Sequence, residues 1–135
     1  MDHRSEDARP APVLIIDDDP TIRRMLVRLM ERIGYSAVTA ADGLSSLAAL
    51  AASDVPFVCV LLDLTMPGMH GIDVAAAIHE RAPDLPIIIM SGYSQISPAE
   101  RRLAFPIAAY LHKPFAIEDL QRAVGRIAPP AAQGA

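Results

Sequence analysis

Val13-Leu14-Ile15-Ile16-Asp17-Asp18-Asp19-Pro20 is the stretch that decides the architecture. Its first four residues are wholly apolar, as in a strand buried on both faces of a parallel sheet. Asp19 followed by Pro20 reads as a helix N-cap and first helical residue. Ile22, Met25, Leu26, Leu29, Met30 and Ile33 then recur at helical spacing, and Gly34 closes the helix. A buried strand therefore runs through an acidic turn straight into an amphipathic helix.

The same alternation continues outward. Ser36–Ala40 is a second, weaker strand, and Leu44, Leu47, Ala48 and Ala51 mark a second helix. Residues 57–62 form a third strand, and Gly71–Arg81 is a helix whose packing face is Ile72, Ala75, Ala76 and Ile78. A fourth strand covers 86–90. Ser97-Pro98-Ala99-Glu100 fits a capping box that opens a short helix. A fifth strand covers 108–112, and Ile117, Leu120, Val124 and Ile127 define a last helix. Five strands alternating with five helices predict an α/β fold, a doubly wound parallel sheet. By analogy, a chain of this length takes the flavodoxin-like strand order 2-1-3-4-5.

Composition bounds what such a domain does. At 135 residues the chain makes one domain. Residues 13–127 are its expected extent, after a flexible lead-in (1–12) and before a tail or linker start (128–135). A net charge of −4 lacks the basic face that nucleic acid requires, so no direct nucleic-acid partner is expected. The lone cysteine, Cys59, sits in an apolar run and reads as an inert core thiol. No apolar run approaches the roughly 18–20 residues of a membrane span, and the charged N-terminus has no signal-like core behind it. A cytoplasmic protein without membrane contact is expected. The histidines His3, His70, His79 and His112 are scattered and make no metal pattern; His79 is expected on a solvated helix face.

In doubly wound sheets ligands bind beyond the carboxyl ends of the strands, at the switch point between strands 1 and 3. Asp17, Asp18 and Asp19 follow strand 1, Asp63 follows strand 3, Ser91 strand 4 and Lys113 strand 5. Carboxylates that close repel one another unless a cation neutralises them. Oxygen ligands of this kind suit Mg²⁺, with Mn²⁺ as the alternative. A carboxylate facing Mg²⁺, a hydroxyl and an ammonium is equipment for phosphoryl transfer. Of the 12 lysines and arginines only Lys113 is a lysine, which marks it as a compact phosphate partner. A cis bond to Pro114 would be one way to aim it. Asp19 itself is explained by helix capping alone.

Val13-Leu14-Ile15-Ile16-Asp17-Asp18-Asp19-Pro20, Leu62-Asp63-Leu64-Thr65-Met66-Pro67-Gly68-Met69-His70-Gly71, Met90-Ser91-Gly92-Tyr93 and Tyr110-Leu111-His112-Lys113-Pro114-Phe115 together resemble the receiver domains of two-component response regulators. Four ordered blocks at compatible spacings are specific; any one alone is weak. The resemblance, to chemotaxis-type single-domain or hybrid-kinase receivers, spans about Val13 to Ile127. It implies that Asp63 accepts a phosphoryl group from a histidine kinase or histidine phosphotransfer protein. Asp18 would ligate Mg²⁺ directly and Asp17 largely through water, with Asp63 and the Thr65 backbone carbonyl completing the protein ligands. Ser91 would bond the phosphoryl group, Lys113 would pair with Asp63 and then with phosphate, and Tyr110 would be the aromatic whose rotamer reports the state. The consequence is a switched protein-interaction surface for a downstream protein target. Self-phosphorylation and autodephosphorylation would be its only chemistry, so it is not an enzyme in the ordinary sense.

Three other readings compete. A haloacid dehalogenase-type phosphohydrolase wants a second aspartate two residues after the nucleophile, where this chain has Thr65. A flavin module wants a Gly/Ser/Thr-rich first loop, and this one is acidic. A receiver-like module acting without phosphorylation has no need of the filled key positions. Tyr110 also fits a partly buried core tyrosine. No output segment is read after Ile127. One stretch departs from the family pattern: Pro98 and Pro106 restrict the helix before strand 5 to roughly 98–104, about two turns, which is marginal without strong packing.

Overall fold

Five short strands lie side by side in one parallel sheet in the order β2-β1-β3-β4-β5. They are β1 (Pro12–Ile16), β2 (Ser36–Ala40), β3 (Cys59–Asp63), β4 (Ile87–Ser91) and β5 (Ala109–His112). The computed structural model describes residues 11–64, 71–92 and 106–127. Among them are four helices: α1 (Pro20–Arg32), α2 (Gly43–Ala52), α3 (Gly71–Arg81) and α4 (Ile117–Ile127). The expected order 2-1-3-4-5 is the one observed. The helix expected at 98–104 and the Thr65 carbonyl lie outside the described residues.

Alternation along β1, β3 and β4 sends side chains to both faces, and each face carries its own core. Val13, Ile15, Cys59, Leu61, Ile88 and Met90 pack under Leu26 and Met30 of α1 and Leu120 and Val124 of α4. Leu14, Ile16, Val60, Leu62, Ile87 and Ile89 pack under Val74, Ala75 and Ile78 of α3, with Leu47 and Leu50 of α2 alongside. Cys59 is fully buried, and desolvation pushes its thiol up to about 12. It is inert core, as expected. No helix among the described residues is long and apolar enough to cross a membrane.

The first helix follows its sequence signals closely. The Asp19 carboxylate accepts from the Thr21 N–H at 2.9 Å, and Pro20 occupies the first turn. At the other end Gly34 takes φ 99°, which an L side chain resists. The Tyr35 N–H then donates to Met30 and the Gly34 N–H to Glu31, satisfying the last carbonyls in a Schellman arrangement. That turn delivers the chain into β2.

The expected second helix is present, but packing departs from the apolar pattern in three places. In α2 the side chains of Leu44, Ala48 and Ala51 are exposed, Leu44 by 78%, and only Leu47 of the four expected markers packs inward. The Asp42–Ser45 capping box opens the helix, and the buried side is Gly43 and Ser46, whose hydroxyl donates to the Gly43 carbonyl. An alanine-rich helix presents nearly equal apolar character all round, so counting apolar residues does not find its face. His79 is half-buried rather than solvated, and Ala76 of the expected α3 face is exposed.

Candidate functional site: an acidic pocket at the strand ends

The strands end where the chemistry-bearing residues begin. Asp63 and Ser91 are the last residues of β3 and β4, one position further into the sheet than the apolar runs suggest. Leu62 pairs with Ile16 and Asp63 with Met90 in the ladder, so Asp63 stands centrally, beside the turn that leaves β1. Asp63 is nearly sealed from solvent, as is Asp17 (3% and 1% exposed), while Asp18 is open. One carboxylate oxygen from each of the three lies within 4.8 Å of the others.

Lys113 reaches in from the end of β5. Its Nζ stands 3.3 Å from Asp63 Oδ1 and 3.4 Å from Asp17 Oδ2, with its side chain 28% exposed. The Lys113 N–H donates to the Ser91 carbonyl at 2.7 Å, which ties the end of β5 to the end of β4. The Lys113–Pro114 peptide is cis. The expected pairing with Asp63 is present; the equal pairing with Asp17 was not legible in the sequence.

Asp17 is held from several sides. Its N–H donates to the Ala40 carbonyl at 3.1 Å, and its Oδ1 accepts from the Asp19 N–H at 2.9 Å. Its carbonyl accepts from Arg23 Nη1 at 2.7 Å. Burial raises the Asp17 carboxyl above its ordinary value; the Asp19 N–H and the Lys113 ammonium pull it down, and the Asp63 charge pushes it up. One ammonium against three carboxylates leaves an excess of negative charge. That donor set, all oxygen and open on the Asp18 side, fits a hard divalent cation that keeps part of its water.

Two more residues shape the pocket. A Cβ on Gly71, at the start of α3, would come within 2.8 Å of Leu64 Cα and 3.3 Å of the Asp63 carbonyl oxygen. Glycine there lets α3 close down on the backbone just after Asp63. Tyr110 lies on β5 and is 42% exposed, and among the described residues it belongs to neither core cluster. Of the expected site, Asp17, Asp18, Asp63 and Lys113 are brought together directly, and Ser91 borders them through its backbone.

Known proteins resemble this chain in sequence and in fold. The chain matches the response regulator receiver domain family over residues 13–125. It is 37% identical to response regulator MprA of Mycolicibacterium vanbaalenii over 111 residues, covering 82% of this chain but 47% of that protein. The chain thus spans about half the length of the curated relatives it matches. Among solved structures it is similar to the Vibrio cholerae chemotaxis protein CheY4, with TM-score 0.76 and 30% identity, covering 87% of this chain and 98% of that one. It is likewise similar to response regulator TrrA of Thermotoga maritima in complex with Mg²⁺-BeF, with TM-score 0.75, 28% identity and the same coverages. With the strand order, the acid trio and its lysine all in place over the matched span, this chain belongs to the response regulator receiver domain family.

Proposed function

We propose that this receiver domain takes a phosphoryl group onto Asp63 from a phosphohistidine donor and thereby switches a protein-interaction surface. The observation that carries the reading is the Lys113 ammonium standing between Asp63 Oδ1 and Asp17 Oδ2 at 3.3 and 3.4 Å, beside the clustered acids. A carboxylate oxygen of Asp63 attacks phosphorus in line, the P–N bond breaks, and the electron pair leaves with the donor imidazole. Lys113 then offsets charge on the phosphoryl oxygens, and the Ser91 hydroxyl hydrogen-bonds one of them.

Asp17, Asp18 and Asp63 would hold Mg²⁺, with the Thr65 carbonyl as a further ligand. When bound, that ion offsets the acids' mutual repulsion and the negative charge of the incoming phosphoryl oxygens. Desolvation of Asp17 and its closeness to Asp63 support a cation there. The donor is a histidine kinase or histidine phosphotransfer protein; similarity to TrrA, solved in complex with histidine kinase ThkA, supports that partner class. Tyr110, exposed on β5, is the proposed reporter of the switched state, and a downstream protein is its reader. Residues 13–127 form the working unit, in the cytoplasm, between a lead-in (1–12) and a tail or linker start (128–135).

Acetyl phosphate with Mg²⁺ tests this directly. One phosphoryl mass should appear on the wild-type chain and be absent from Asp63→Asn. Equal labelling of the Asn variant would place the acceptor elsewhere.

A further inference from the structure

Arg23 is one of eleven arginines among the 12 basic residues and is the fourth residue of α1, near the solvent-facing start of the helix, where arginine is usually a solvated charge. Here it is half-buried and turned back toward the strand end. The ladder between β1 and β3 stops at the Ile16–Leu62 pair, and the Asp17 N–H is directed to β2 through Ala40. The Asp17 carbonyl is met from the helix side, by Arg23 Nη1 at 2.7 Å. That is the short distance of a charge-assisted bond, and a guanidinium presents its donors in a rigid planar fork. The Arg23 backbone N–H meanwhile donates to the Asp19 carbonyl at 2.9 Å, closing the first turn of α1.

The Asp17 carbonyl and the Asp18 N–H belong to one rigid peptide plane. Fixing the carbonyl oxygen therefore fixes the plane from which the Asp18 residue departs. It also fixes one end of the Asx-type turn in which Asp17 Oδ1 accepts from the Asp19 N–H. We propose that Arg23 is a positioning residue for the acidic pocket: its guanidinium locks the peptide joining Asp17 to Asp18, so that both carboxylates stay turned toward Asp63. Arg23 touches neither phosphoryl group nor metal; it acts through the backbone of the two acids. This inference rests on the metal and phosphoryl reading of the same pocket.

The test compares Arg23→Ala, Arg23→Lys and Arg24→Ala in the full chain. Two quantities are read: Mg²⁺ affinity by calorimetry, and metal-free amide exchange of Asp19, whose N–H reports the turn. Arg23→Ala should weaken Mg²⁺ binding on the order of tenfold or more, as loss of groups that orient metal ligands does. It should also speed Asp19 exchange. Arg24→Ala removes the same charge from an exposed neighbour and should stay within about twofold of wild type, because solvent and salt screen it. Arg23→Lys, still a donor, should recover part of both effects. Mg²⁺ binding by Arg23→Ala that equals or exceeds that of Arg24→Ala overturns the proposal, whatever happens to the melting temperature. Absence of Mg²⁺ binding by the wild-type chain would instead overturn the metal reading. Asp19 exchange then decides the role of Arg23 alone: faster in Arg23→Ala upholds the lock, unchanged refutes it.

Discussion

Replacing Lys113 with methionine removes the one ammonium that pairs with both buried carboxylates. Unit charges 3.3 Å apart attract by about 5 kcal/mol at an effective dielectric of about 20. The pocket has a cheaper response than bearing that whole loss, because one carboxyl can take up a proton. Starting from the ordinary carboxyl value of 3.8, protonation at pH 7 costs at most about 4 kcal/mol, and at pH 5 less than about 2 kcal/mol. The smaller route wins, so about 4 kcal/mol bounds the pH-dependent loss at neutrality. Asp17 is the group that titrates: burial and then Asp63 already raise it, and Lys113 is among the influences opposing them. A carboxyl raised in the folded state binds a proton that the unfolded chain has released. Stability therefore falls as pH rises from 3.8 through the raised value, and the penalty is fully present above it. Lys113→Met extends that window upward. Urea unfolding followed by far-UV circular dichroism, in EDTA, should show variant and wild type converging toward pH 4. Above that they should diverge by up to about 1.4 kcal/mol per pH unit, the limit for one proton. A gap that stays constant from pH 4 to pH 7.5 would show that Lys113 acts through packing and not through charge, since a lost packing contact does not titrate.

Two further substitutions separate the metal from the scaffold. Asp18→Ala should abolish Mg²⁺-dependent labelling by acetyl phosphate while leaving metal-free stability unchanged or slightly raised, because it removes one of three crowded acids; full labelling of this variant would place the metal elsewhere. Gly71→Ala should destabilise the domain by about 1–3 kcal/mol in the same urea assay, the usual cost of forcing a methyl into occupied space. Wild-type stability in that variant would show that α3 can back away from Leu64 freely.

Much of this was legible because local chemistry and global fold agree along the chain. The apolar runs at β1, β3 and β4 are buried on both faces and contain no competing polar residue, so a parallel sheet was the natural reading. Asp19, Pro20 and Gly34 act within a turn or two of their own positions, and α1 begins and ends where they require. The C-terminal ends of β3 and β4 each lie one residue beyond the expected ones because Asp63 and Ser91 are polar yet buried, which an apolar count reads as loop. Residues that act at a distance were harder to see. Lys113 and Asp17 are 96 positions apart, and only the β5 placement brings them within 3.4 Å. Arg23 has nothing in its type or spacing to distinguish it from its exposed neighbour Arg24. Gly71 stood within a recognisable motif, but its reason, the approach of Leu64 Cα, exists only in three dimensions.

The phosphoryl group is proposed to reside on the Asp63 carboxylate. An acyl phosphate is reduced by borohydride to an alcohol, which converts the modified aspartate, and no unmodified one, to homoserine. The wild-type chain should be treated with acetyl phosphate and Mg²⁺, reduced, digested and sequenced by mass spectrometry. Homoserine at position 63, and at none of 17, 18 or 19, is the result predicted. Homoserine at any of those other acids with aspartate intact at 63 would place the phosphoryl group away from Asp63.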